Sequence, residues 1–237
     1  MKRIPHLSIV LVAVLAVAPT KGWSALTLTV YDNLSTLVQA GTSAPNVYSP
    51  IFGDALTLLQ GGTMSSISLT LYNSLSGGNT GRIMTGTMQV SFYDNTTPYT
   101  SGLLSSLPLL GTANLNWDFT GDGGLAPTYY STNAFDISSY DITVPMNILV
   151  TQKFTQTSGT STRNGVALFE NPVVGSSPST VYIDTSLAEG LYTFSGGNPG
   201  QVGYKLEISA IPEPGSVFAL GCLVGSGMFL RARRGRS

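Results

Sequence analysis

Met88-Gln89-Val90-Ser91-Phe92-Tyr93-Asp94-Asn95 alternates apolar and polar side chains, then stops at an Asp-Asn pair. A period of two is the signature of a strand with one buried and one wet face, and Asp-Asn is turn chemistry. The same pattern occurs elsewhere. Leu26, Leu28 and Val30 alternate with Thr27, Thr29 and Tyr31. Ile67, Leu69 and Leu71 alternate with Ser66, Ser68, Thr70 and Tyr72. Tyr204, Leu206 and Ile208 alternate with Lys205, Glu207 and Ser209. Weaker strand patterns cover 148–155, 165–170, 180–184 and 190–194. Glycine- and asparagine-rich turns fall at 61–62, 77–79, 94–95, 121–124, 164–165 and 196–200. Many alternating strands with no long helix between them predict an all-β chain of antiparallel strands packed as a two-sheet β-sandwich. Residues 73–81 and 113–130 read as long loops, and no internal repeat is visible.

Two segments flank this pattern. Residues 1–24 carry Lys2 and Arg3, twelve uninterrupted apolar residues over 7–18, and small residues Gly22 and Ser24 before Ala25. That is the layout of a secretory signal peptide, with an N-terminal signal helix cleaved after Ser24. Residues 211–237 begin with Ile211-Pro212-Glu213-Pro214, continue as an apolar run over 216–230, and end with Arg231, Arg233, Arg234 and Arg236. Two prolines keep the backbone extended ahead of the run. Fifteen residues at 1.5 Å each make a helix of about 22 Å, short of a roughly 30 Å hydrocarbon core. Snorkelling arginines and a thinned bilayer can cover the difference. The basic end places itself in the cytoplasm and everything before Pro212 outside. The expected organisation is therefore signal peptide 1–24, β-sandwich ectodomain 25–210, and a short C-terminal transmembrane helix 216–230 followed by the Arg-rich tail 231–237.

The tripartite end, 211–237, resembles the PEP-CTERM sorting signal, in which a Pro-Glu-Pro motif precedes a membrane helix and a basic terminus. Pro212, Glu213 and Pro214 match the motif; Ser216 stands where a small polar residue follows. The resemblance implies recognition by an exosortase in the inner membrane of a Gram-negative-type cell. It also implies cleavage near Pro214, a transient anchor, and association with exopolysaccharide or biofilm matrix. The stretches 30–34, 91–95 and 203–206 resemble the jelly-roll-like ectodomains that precede such anchors. A plain C-terminal anchor is the alternative.

Composition excludes several chemistries. The one histidine, His6, lies in the signal segment, and the one cysteine, Cys222, in the tail helix. Residues 25–210 therefore hold no disulfide, no histidine-relayed serine or cysteine nucleophile, and none of the usual zinc ligands. Four basic and eleven acidic residues give this region a net charge of −7, although the whole chain stands at −1. Nucleic acid is not an expected partner, because phosphate binding needs clustered Lys and Arg.

Asp118, Thr120 and Asp122 alternate within Trp117-Asp118-Phe119-Thr120-Gly121-Asp122-Gly123-Gly124 and could offer oxygens to Ca²⁺, although the downstream bidentate Glu of an EF-hand is missing. A glycine turn capped by Asp side chains is the competing reading. Trp117, Tyr129 and Tyr130 could face sugar rings or fill a core. Glu170 and Glu207 are the carboxylates a histidine-free hydrolase would need. The sequence therefore predicts a non-enzymatic, exported surface or matrix protein without a required cofactor. A calcium-dependent carbohydrate-binding module is the first alternative and a surface hydrolase the second.

Overall fold

The computed structural model describes residues 26–43, 51–73, 83–100, 103–120, 129–159, 164–178, 180–184, 189–192 and 200–210. The segments expected to be a signal peptide, over 1–24, and a sorting motif with its helix and arginines, over 211–237, lie outside them, as does Asp122. Among the described residues no helix is long and apolar enough to cross a membrane.

The chain is all-β and antiparallel, in two sheets. The eight-stranded sheet contains β1 (Leu26–Asp32), β2 (Leu37–Ser43), β4 (Gly62–Asn73), β7 (Tyr129–Asp136), β8 (Thr143–Val144), β10 (Asn164–Phe169), β13 (Gln201–Val202) and β14 (Tyr204–Ala210). The six-stranded sheet runs β12 (Glu189–Tyr192), β11 (Val181–Asp184), β3 (Ile51–Thr57), β9 (Asn147–Gly159), β5 (Ile83–Asp94), β6 (Leu109–Thr120). One core joins the sheets. The eight-stranded sheet supplies Ile67, Leu69, Val166, Leu206 and Ile208; the six-stranded sheet supplies Met88, Val90, Phe92, Ile148, Val150 and Trp117. This is a sandwich-like arrangement, with the apolar sets of β4, β5, β6 and β14 turned inward.

The first and last core strands are neighbours: β14 pairs with β1 on one side and β4 on the other. β4 pairs with β14 as far as Leu69 and with β10 from Tyr72. Between these points the Gln152 side chain crosses from the other sheet and donates to the Thr70 carbonyl at 3.1 Å.

Three expectations are corrected. Residues 113–130 are not one loop: β6 occupies their first part and β7 begins at Tyr129. Ala113, Leu115 and Trp117 alternate inward with Asn114, Asn116 and Asp118 outward, so burial overrode the poor strand propensity of Asn and Asp. In β1, Leu26 and Leu28 are exposed, at 67% and 37%, while Tyr31, expected on the wet face, is fully buried beside Val30. A register shift between Thr29 and Tyr31 against β14 turns consecutive residues inward. Asn164-Gly165 is not a turn but the start of β10.

Candidate functional site

Taken from the inner face outward, the six-stranded sheet presents two different outer halves. Over β12, β11, β3 and the near ends of β9 and β5, the β5–β6 connection folds back as a roof. Tyr99 and Leu104 pack there on Leu149 and Tyr182, with Ile51, Ala55, Tyr93 and Leu191 around them. Tyr99 meets Tyr182 edge-on at 5.9 Å. Tyr182 Oη donates to Glu189 Oε1 at 2.8 Å, and the Leu104 amide donates to the same oxygen. Burial and this bond to Glu189 push the Tyr182 phenol up. Asp184 stands directly opposite Glu189 in the β11–β12 ladder. Its carboxyl is raised first by burial and then by Glu189, with Lys153 opposing. A pocket of about 370 Å³ lies in the roof itself, lined by Asp94, Thr96, Tyr99 and Ser106 among others.

The remaining half, over β9, β5 and β6, is open except toward the roof, where Ser91 and Thr151 are buried at 8% and 3%. Because Met88, Val90 and Phe92 point inward, Thr85, Thr87, Gln89 and Ser91 point out, and the flanking strands follow the same phase. The ladders set Thr155, Thr87 and Asn116 in one row, Lys153, Gln89 and Asn114 in the next, and Thr151, Ser91 and Thr112 in a third. Beyond Thr87, Ser158, Thr85 and Asp118 make a fourth row across a bulge. Side chains within rows touch. Gln89 Nε2 donates to Asn114 Oδ1 at 3.4 Å, Ser91 and Thr112 hydroxyls share a 3.0 Å hydrogen bond, and Thr85 bonds Ser158. Gln89, Asn114, Asn116, Asp118 and Thr155 are exposed. The outer edge of β6 is met by Tyr140, whose hydroxyl donates to the Asn114 carbonyl at 2.7 Å.

A second polar group is enclosed between the sheets. Asp54 is fully buried, and among the described residues no group meets hydrogen-bond geometry with either carboxyl oxygen; the same holds for the buried Tyr204 hydroxyl. Burial pushes the Asp54 carboxyl well up, and the neighbouring Ser177 hydroxyl and the Ala55 and Val202 amides offset this only in part. Tyr31, whose phenol is raised by its own burial and by Asp54, reaches Gln201 Oε1 at 3.5 Å. Gln201 in turn holds Asn171 Oδ1 and the Ser177 carbonyl. Gly175, at φ +76°, lets the 170–178 segment close over this group: a Cβ there would stand 2.6 Å from the Thr57 carbonyl oxygen.

The residues singled out from the sequence are dispersed. Asp118 is exposed at the end of the open face, Thr120 ends β6, and no group of three metal-binding side chains exists among the described residues. Trp117 is core, 1% exposed, tilted against Phe135 at 5.5 Å, so it presents no face to a ligand. Tyr129 and Tyr130 open β7 opposite Asn73 and Tyr72. Glu207 sits on the eight-stranded sheet, held by Lys205 at 2.9 Å, Ser66 at 2.8 Å and Thr29 at 3.3 Å, which keeps its carboxyl below the usual range. Glu170 is exposed and shares none of these partners. Sequence reading had the outward set of β5 but not its alignment with those of β6 and β9; the signal was there in Asn114, Asn116, Lys153 and Thr155, each one place from an apolar residue. No protein-family model, curated protein or solved structure matches the chain.

Proposed function

We propose that this chain is an exported, non-enzymatic surface or extracellular-matrix protein, sorted through its C-terminal segment by an exosortase and associated with extracellular polysaccharide. The observation that carries this reading is the order Pro212-Glu213-Pro214, apolar run, four arginines, following immediately on the last core strand, β14, of a chain that opens with a signal-like segment. The helices at 1–24 and 216–230 and the jelly-roll-like character of the ectodomain belong to the same proposal. The neighbouring first and last strands and the two facing sheets support the latter. Glu207 is held by Lys205, Ser66 and Thr29 and shares none of these partners with Glu170, which favours a binding or structural role over hydrolysis by that pair.

The test is intact-mass analysis of the protein from a host that carries an exosortase. The mature species is expected to end near Pro214, without Cys222 and the terminal arginines. Glu213→Ala is expected to leave the chain full-length in the inner membrane. Stoichiometric peptides reaching Leu230 would make the tail a plain anchor.

A further inference from the structure

We infer that the open half of the six-stranded sheet's outer face is a binding surface for uncharged polysaccharide, built from Thr87, Gln89, Asn114, Asn116, Lys153 and Thr155. The inference rests on the matrix reading of the ectodomain and assigns it a place on the molecule.

Strand spacing and pleat give this face its size. With the row of Ser91 and Thr151 buried, three strands about 4.8 Å apart and three accessible rows about 6.8 Å apart make a strip of about 10 by 14 Å, long enough for a short run of sugar rings. Its chemistry is hydroxyl and carboxamide. Asn and Gln each have two donors and an acceptor oxygen, and the Gln89–Asn114 contact uses one donor of the first and one lone pair of the second. What remains points outward in register, able to give and accept hydrogen bonds together, which is what a polyhydroxyl chain requires.

Other occupants fit worse. Protein interfaces centre on buried aromatic and aliphatic anchors. The exposed large apolar residues are Leu26, Leu28, Leu59, Leu103, Leu109, Tyr140, Met146, Val173 and Tyr192 among the described residues, and none belongs to the four rows. A polyanion needs clustered cations. Here Lys153 is the one cation in the four rows, and Asp118 offsets it at the far end. The strip is electroneutral, and its complement is an uncharged ligand. The ladder also holds it rigid, so little side-chain order is lost on binding beyond that of Gln89, Asn116 and Lys153.

The experiment uses the full chain in a zwitterionic, sugar-free detergent. Affinity electrophoresis through gels containing dextran, a mannan or a β-glucan is compared with gels containing alginate. At least one neutral polymer is expected to retard the protein, with EDTA making no difference and alginate having no effect. The Gln89→Ala/Asn114→Ala/Asn116→Ala variant, with its circular dichroism unchanged, is expected to bind at least tenfold more weakly, because three side chains that hydrogen-bond the sugar hydroxyls are lost together. Asn116→Arg, which adds bulk and charge, is expected to weaken binding similarly, and Ser66→Ala on the other sheet to leave it unchanged. Retardation that survives both face variants overturns this site and leaves the matrix reading in place. Retardation by alginate alone overturns the uncharged ligand. No retardation in any gel, for protein that still co-fractionates with matrix in its host, overturns the inference without touching the sorting proposal. EDTA-sensitive binding replaces it with a calcium-dependent site.

Discussion

Asp54 lies on the inner side of β3 with no hydrogen-bond partner for either oxygen among the described residues, and the phenols whose ionisation it opposes, Tyr31 and Tyr204, are themselves buried. An ionised carboxylate in that position has lost its water and gained no cation, so the folded state favours the protonated form. The sign follows. With its folded pKa above the unfolded value near 3.9, Asp54 contributes full stability only below about pH 4 and takes it away as pH rises toward the folded value. Asp54→Asn keeps the volume and removes the ionisation. The variant is expected to melt about 5 °C higher than the parent at pH 7, with the gap closing toward pH 4, in thermal unfolding followed by circular dichroism. A lower melting temperature for the variant at pH 7 would mean that the charge itself is used, and would point to a cation between Asp54, Tyr31 and Tyr204. None of this was legible in the sequence: Phe52-Gly53-Asp54-Ala55-Leu56 reads as an Asp beside a glycine, and only the pairing of β3 with β9 and β11 shows that Asp54 is enclosed.

Strands β5, β6 and β9 show how far pattern alone reaches. The phase of β5 was plain in Met88, Val90 and Phe92. β6 carries an equally regular alternation, Ala113, Leu115 and Trp117 against Asn114, Asn116 and Asp118, but Asn and Asp weigh against strand in local propensity and the following glycines suggest a turn. Tertiary burial decided the matter, and with it the candidate face, since the outward residues of β6 form one side of each polar row. β1 failed in the opposite way. Its alternation was clear, but a single bulge moved Tyr31 into the core, and no side-chain pattern marks where a ladder slips. Trp117 is the element-scale test of the revised reading. It ties β6 of one sheet to Phe135 of β7 in the other, and its indole N–H has no partner among the described residues. Trp117→Ala is expected to cost about 3–5 kcal/mol in urea unfolding. Trp117→Phe, which keeps a ring and removes the unsatisfied donor, is expected to stay within about 1.5 kcal/mol of the parent. A ligand-facing tryptophan would instead tolerate alanine.

Across the described molecule, closure depends on its last strand, which ends at Ala210. β14 contributes Tyr204, Leu206 and Ile208 to the core and lies between β1 and β4, so the eight-stranded sheet cannot join its first strand to the rest until residue 210 is present. The pairing of residues 26 and 210 is a contact between opposite ends of the domain, costly in loop entropy until the intervening strands are in place, and such topologies fold slowly. This suits the proposed export, because a chain that cannot close its sheet early stays threadable. It also means that the domain has no smaller folded version at its N-terminal end. Deleting 201–237 removes β13 and β14 together, takes Tyr204, Leu206 and Ile208 out of the core, and leaves the backbone groups of β1 and β4 that faced β14 unpaired. That truncated chain is expected to lack the near-ultraviolet circular dichroism of packed Trp117 and to be degraded by a non-specific protease at concentrations that spare the chain ending at residue 210. Equal resistance of the two truncations would show that β1 and β4 hold without β14, and that the closure drawn from the strand order is not what stabilises the domain.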